Sequence, residues 1–185
     1  MRRLEARQTC CFTGHRPKGL PFGEDETHPD CVRLKVLLRA EVERLIGDCG
    51  VRHFITGMAI GADLIAAQLV LDLKKQYPEI TLESAIPYEE QAVKWSEEQR
   101  DRYYDIAAQC DKEITLEGVY TPTCYRRRNR YMVRNSGYVI AVWNGKPSGT
   151  SQTIMMARGL RRHLTIINPV TFEIIRENLP KEKTE

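Results

Sequence analysis

Apolar positions in this 185-residue chain follow two rhythms that alternate from one end to the other. Short, near-continuous apolar runs read as buried strands, and longer stretches with apolar residues every three or four positions read as amphipathic helices. The first run is residues 9–13, Thr-Cys-Cys-Phe-Thr, followed by a polar loop from Lys18 to Pro29. A helix is expected over about residues 30–48, where Val32, Leu34, Leu37, Val42 and Leu45 lie close to helical spacing and Gly47 and Gly50 flank the end. Residues 51–56 give a second strand, and a helix over about 61–77 is stopped by Pro78. Residues 79–86 read as a third strand ended by Pro87, and residues 91–110 as an amphipathic helix. Then come a short strand (112–116), a loop with Pro122, a basic helix (about 124–135), an apolar strand (138–143), a helix (150–161) and a strand (164–167). Residues 181–185 are mostly charged and are expected to fray.

Strands alternate with helices throughout, which predicts an α/β fold with a mostly parallel sheet covered on both faces. Right-handed crossovers put every strand-to-helix turn at one edge of such a sheet, where its ligands bind. Three turns carry glycine: Thr13-Gly14-His15-Arg16, Gly57 to Asp63, and Asn144 to Thr150. They are therefore expected to form one pocket. The length suits one domain, residues 1–185, with a core over about 9–168.

Composition narrows the classes. Hydrophobic content of 42% with 29% charged residues is that of an ordinary globular protein. No apolar run is long enough to span a bilayer, and Glu5, Arg7 and Gln8 interrupt any signal core after the basic start, so a cytoplasmic location without membrane partners is expected. A net charge of +3 is too small by itself to argue for nucleic acid. The six cysteines include no C-x-x-C spacing, so free thiols are expected, with no metal site. Cys10 and Cys11 should point to opposite faces of the sheet.

The turns differ in what they offer. Gly57-Met58-Ala59-Ile60-Gly61-Ala62-Asp63 has neither Rossmann nor Walker A glycine spacing. Two readings stand level: Gly57 and Gly61 let the backbone approach a phosphate while Asp63 holds a ribose hydroxyl, or the turn is a plain connection capped by Asp63. Ser148-Gly149-Thr150-Ser151 is a second anion cradle, although N-capping alone explains its hydroxyls. Arg16 suits a phosphate, and His15 is the weaker candidate beside it. In the run Arg126-Arg127-Arg128-Asn129-Arg130, with Arg134, positions 126, 130 and 134 share a helix face, which leaves one arginine to face the pocket while the rest are solvated or meet nucleic acid. Tyr88 and Trp95 are candidates to stack on a base, against a more common role in the core.

Taken together, Thr13-Gly14-His15-Arg16, Gly57-x-x-x-Gly61-Ala62-Asp63, Arg128-Asn129-Arg130-Tyr131-Met132-Val133, Ile140-Ala141-Val142-Trp143 and Ser148-Gly149-Thr150 resemble the YpsA-like branch of the SLOG superfamily. The resemblance covers roughly residues 9–168. It implies a Rossmann-like three-layer sandwich related to the DNA-processing protein DprA and the LOG phosphoribohydrolases, and a nucleotide or ADP-ribose-like ligand. In LOG enzymes an Arg-Lys pair precedes a Met, and a Pro-Gly-Gly-x-Gly-Thr-x-Glu turn follows. Here Arg128 fits the arginine, Asn129 replaces the lysine, and Gln152 stands where the resemblance puts the glutamate. A glutamine is no carboxylate base, so hydrolysis is disfavoured and Asp63 is the remaining candidate catalytic carboxylate.

The expected function is binding or sensing of a nucleotide-derived ligand, with Thr13, Gly14, His15, Arg16, Gly57 and Gly61 in the site together with Asp63, Tyr88, Arg128, Asn129, Gly149 and Thr150. Two alternatives stand beside it. One is a hydrolase of nucleotide N-glycosidic or phosphate bonds. The other is a single-stranded DNA binder that uses the arginine run. A homo-oligomer stays open.

Overall fold

A computed structural model describes residues 6–178. Its seven strands are β1 (Thr9–Gly14), β2 (His53–Thr56), β3 (Thr81–Ile86), β4 (Lys112–Thr115), β5 (Tyr138–Val142), β6 (His163–Ile167) and β7 (Ile174–Glu177). They form one sheet in the order β4-β3-β2-β1-β5-β6-β7, parallel except for β7, which runs antiparallel to β6. Five α-helices connect them: α1 (Pro29–Cys49), α2 (Ala62–Leu73), α3 (Glu97–Ala107), α4 (Cys124–Asn135) and α5 (Gly149–Gly159).

The period-2 alternation of strand side chains builds two cores. Cys10, Phe12, Phe54, Leu82 and Ile140 pack with the residues of α1, α2 and α3 on one face. Cys11, Ile55, Ala85, Val139 and Leu164 pack with Met132, Val133, Ile154 and Ala157 of α4 and α5 on the other. The fold is thus an α/β Rossmann-like three-layer sandwich, and the two adjacent cysteines do face opposite layers. The chain winds outward from β1 to β4, then returns across the sheet to β5 on β1's other side. That reversal opens a crevice beyond the carboxyl ends of β1 and β5.

Several boundaries differ from the sequence reading, four of them with a bearing on the pattern. The helix expected from residue 91 begins at Glu97, because Ser96 and Gln99 form a reciprocal capping box (Gln99 N–H to Ser96 Oγ 3.3 Å, Ser96 N–H to Gln99 Oε1 3.1 Å). The helix expected to reach residue 77 ends at Leu73 and continues as turns. Strands β2 and β3 begin two residues later than expected, at His53 and Thr81. Strand β7 was not expected at all. It is an edge strand whose Ile175 is exposed and whose Arg176 and Glu177 are charged, so it lacks the apolar run that marks the central strands. The fraying expected for residues 181–185 lies outside the described residues.

Two buried glutamates tie the layers together. Glu41 of α1 accepts hydrogen bonds from Arg44 (2.7 Å), Arg176 (2.8 Å) and Thr165 (2.6 Å), joining α1 to β6 and β7. Glu83 of β3 meets His53 Nε2 (3.0 Å), Lys112 (2.7 Å) and the Tyr131 hydroxyl (2.6 Å), clamping α4 onto the sheet. Burial alone pushes both carboxyls up, but the cationic and hydroxyl donors outweigh it and hold each at about 2.

Candidate functional site

The crevice at the switch point is a cavity of about 840 Å³. Its floor is made of buried polar groups: Thr13 and His15 from the end of β1, Asp63 from the first turn of α2, Arg128 from α4 and Thr150 from α5. Its rim carries the exposed cations Arg16, Lys18 and Lys146. Among the lining residues Asp63 is the one carboxylate, set against four permanent cations, Arg128 included.

The β1 turn is held in place by backbone contacts. The His15 N–H donates to the Val142 carbonyl (3.2 Å), and the His15 carbonyl accepts from the Ala62 N–H that opens α2 (3.1 Å). Gly61 permits this approach: its φ is +96°, and a Cβ there would lie 2.6 Å from the His15 oxygen. Gly57 serves a different neighbour, because its carbonyl accepts from the Arg128 guanidinium and a side chain would collide with that group. Neither glycine lines the cavity, although both were expected to meet ligand. The start of α2 is occupied by the β1 turn, and Gly57 and Gly61 make room for protein atoms instead.

Arg128 is the arginine of the run that turns inward. It is 5% exposed, while Arg126, Arg127, Arg130 and Arg134 are exposed on the rest of α4. Its Nε donates to Asn129 Oδ1 (2.7 Å), and its Nη1 lies 3.7 Å from Asp63 Oδ2. Asn129 Nδ2 donates in turn to Thr153 Oγ1 (2.9 Å), joining α4 to α5. Burial holds the Asp63 carboxyl above the usual carboxylate range, opposed by the Arg128 charge, the Ala59 N–H at 3.4 Å and Arg16. Burial likewise lowers Arg128, but a guanidinium so basic keeps its proton.

His15 is not poised as an acid. Its Nε2 accepts the Asn144 N–H (3.1 Å), which assigns the proton to Nδ1 of a neutral ring, and burial lowers its pKa further. The ring packs against Gly19, where a Cβ would fall 2.8 Å away, so it pins the β1 loop to the β5–α5 loop.

Helix α5 opens toward the cavity. Ser148 and Ser151 cap it reciprocally (Ser151 N–H to Ser148 Oγ 3.2 Å, Ser148 N–H to Ser151 Oγ 2.8 Å). That leaves the N–H groups of Gly149 and Thr150, the first two helical residues, without intrahelical acceptors. A Cβ on Gly149 would meet nothing within 4 Å, so the helix end faces open space. Gln152 is exposed on the outer side of α5, while Thr150 and Thr153 turn inward, so α5 brings no carboxylate to the cavity.

The aromatic residue in the lining is Tyr125, three residues before Arg128 on the same face of α4. The Arg16 guanidinium sits 5.1 Å from its ring centre. Tyr88 lies behind it, edge-on to Tyr125 (6.1 Å) and Tyr120 (5.5 Å), and Trp95 packs edge-on to Tyr103 (5.4 Å) away from the site. Tyr125 and Lys18 were missed by the sequence reading, which had Asn144 and Lys146 only as members of the third turn. The i,i+3 spacing of Tyr125 to Arg128 was the available signal for the first. Among the described residues no group of three or more His, Cys, Asp or Glu is placed to hold a metal ion, and no helix is long and apolar enough to cross a membrane. All six cysteines are free thiols.

A family model described as the YspA SLOG family matches residues 10–172, which run from β1 past β6 and include every residue of the cavity. The chain belongs to the YspA SLOG family. Among curated relatives, the prophage-derived protein YoqJ of Bacillus subtilis (strain 168) is 33% identical over 143 residues, covering 71% of this chain and 84% of that protein. A UPF0398 protein of Bacillus thuringiensis (strain Al Hakam) is 27% identical over 147 residues, covering 78% and 79%. Among solved structures, DprA from Helicobacter pylori superposes with a TM-score of 0.57 at 14% identity, covering 87% of this chain and 65% of its own. DprA from Streptococcus pneumoniae gives 0.55 at 13% identity, covering 85% of this chain, which spans 49% of that protein. TM1055 gives 0.52 at 16% identity, covering 85% and 72%. These likenesses show a shared α/β fold. At such identities they carry no residue roles.

Proposed function

We propose that this SLOG protein binds a phosphorylated, nucleotide-derived ligand of the ADP-ribose class in the cavity, and that binding itself is its task. The observation that carries the reading is that the open N-terminus of α5 lines one cavity together with four cations and a single carboxylate. A phosphate accepts from the Gly149 and Thr150 N–H groups and pairs with Arg16 and Lys146. Asp63, fixed by Arg128, accepts from ribose hydroxyls. Tyr125 gives a base a stacking surface once the Arg16 guanidinium leaves its ring for the phosphate. The volume falls within the ~300–1,000 Å³ range of small-molecule sites.

Calorimetric titration with ADP-ribose, AMP and ribose 5-phosphate tests this. The wild-type protein should bind at least one of them. Arg16→Ala removes one charge-assisted contact of about 1.5–3 kcal/mol, weakening binding by about 10- to 100-fold. Absence of binding to any phosphorylated nucleotide-derived compound would remove the proposal.

A second reading, hydrolysis of a nucleotide bond, is favoured by the position and raised pKa of Asp63, a buried carboxyl beside the proposed ribose subsite. It is separated by turnover. If Asp63 is catalytic, Asp63→Asn retains affinity and lowers the rate by about 100-fold or more. For a pure binder, no free base or sugar phosphate accumulates with wild-type protein.

A further inference from the structure

The cavity uses one arginine of the α4 run and leaves the others on the opposite side of the helix. Arg126, Arg130 and Arg134 recur at four-residue intervals, so they form a stripe on the outer face with about 6 Å between neighbours along the axis. All three are exposed, and among the described residues none pairs with a carboxylate. Arg127 beside them is the one that does, with Glu117 at 3.4 Å.

The stripe borders two shallow grooves of about 310 and 230 Å³ that share Arg126 and Arg130. No acidic residue lines either one. The floor of the larger groove is apolar: Val133 from α4, Met156 and Gly159 from α5, and Leu160 just beyond it. Leu160 is 43% exposed there, and Met155 nearby is 69% exposed. In a chain whose net charge is only +3, this concentration of unpaired positive charge is local and one-sided.

We propose that the outer face of α4, with the adjoining edge of α5, is a binding track for a single-stranded nucleic acid. This goes beyond the cavity reading and does not depend on it. The arginine repeat is commensurate with the phosphates of an extended strand, and each guanidinium can grip a phosphate in a bidentate fashion. The apolar floor between α4 and α5 gives unpaired bases a surface, and arginine planes stack on them. A duplex keeps its bases inside and leaves that floor uncovered. An acidic peptide answers the charge without the repeat or the flat partners that the floor and the guanidinium planes favour.

Fluorescence anisotropy of the full chain with a labelled 20-mer oligothymidylate between 50 and 200 mM salt reads this out, over a range in which phosphate-driven binding changes steeply. Three phosphate contacts at about 0.7 each predict a slope of about −2 for log affinity against log salt. Arg126→Ala/Arg130→Ala/Arg134→Ala should weaken binding by about tenfold or more and flatten the slope. Arg126→Lys/Arg130→Lys/Arg134→Lys should keep the slope while losing affinity, because charge remains and stacking does not. Circular dichroism of each variant confirms folding. The proposal is overturned by no binding at 50 mM salt, by equal binding to the triple alanine variant, or by tighter binding of a duplex of the same sequence. Displacement of the strand by polyglutamate at equal charge overturns it as well.

Discussion

Removing one member of the Arg128–Asp63 pair should cost far more than its share of the pair. Arg128 and Asp63 are each 5% exposed, and the 3.7 Å between their charged atoms gives an attraction of about 4 kcal/mol at an effective dielectric constant of about 20. Arg128→Met strands a buried carboxylate, and Asp63→Leu strands a buried guanidinium. Each single change should therefore lose about 3–5 kcal/mol, while the double variant, which strands neither charge, should fall short of the sum by about 2 kcal/mol or more. Urea unfolding of all four proteins, followed by circular dichroism, supplies the cycle. The pH dependence adds a second check. Asp63 holds its proton in the fold above its ordinary 3.8, where the unfolded chain has already lost it, so its contribution is full below 3.8 and declines as pH rises through the folded value. Arg128→Met removes the opposing positive charge and should shift that decline to higher pH. Strictly additive losses, or an unchanged pH profile in Arg128→Met, would refute the claim that the two charges are mutually dependent at the cavity floor.

Glu41→Gln should destabilise the protein at neutral pH and make its acid unfolding shallower. Glu41 is held at about 2 against an ordinary 4.5, so its stabilisation is present above 4.5 and is lost as pH falls toward 2. At about 1.4 kcal/mol per pH unit, the stake is roughly 3 kcal/mol, read by urea midpoints from pH 7 to pH 3. Gly61→Ala should cost about 1–3 kcal/mol, since it forces a side chain to φ +96° against the His15 carbonyl, and it should weaken ligand binding by displacing the β1 turn. Thermal unfolding and calorimetry of that variant test both halves.

Much of the fold can be read from the sequence because the central strands are buried on both faces and announce themselves as apolar runs. Tyr138–Val142 and Thr9–Gly14 are of this kind. The edge strand β7 escapes because one side of it meets solvent and its pattern is charged. Ala92, Val93 and Trp95 mimic helical spacing, so only the Ser96–Gln99 capping box reveals where α3 begins. At the site, the convergence of the Thr13–Arg16 and Gly149–Thr150 turns follows from parallel topology alone. The service that a glycine performs does not. Gly57 and Gly61 look like ligand-facing glycines, yet they accommodate Arg128 and His15, and no local pattern separates the two cases. Likewise, choosing Tyr125 over Tyr88 needs the rotational phase of α4, which only the inward turn of Arg128 sets.

If the open end of α5 holds the phosphate of a nucleotide-derived ligand, its own backbone amides should report the contact. The most direct measurement is a two-dimensional ¹H–¹⁵N titration of the full chain with ADP-ribose, with the amides of Gly149 and Thr150 assigned. These two amides should move farthest as they donate to the phosphate, followed by Gly14, Arg16 and Asp63 around the cavity. Saturable shifts confined to other surfaces, with the Gly149 and Thr150 amides unmoved, would contradict it.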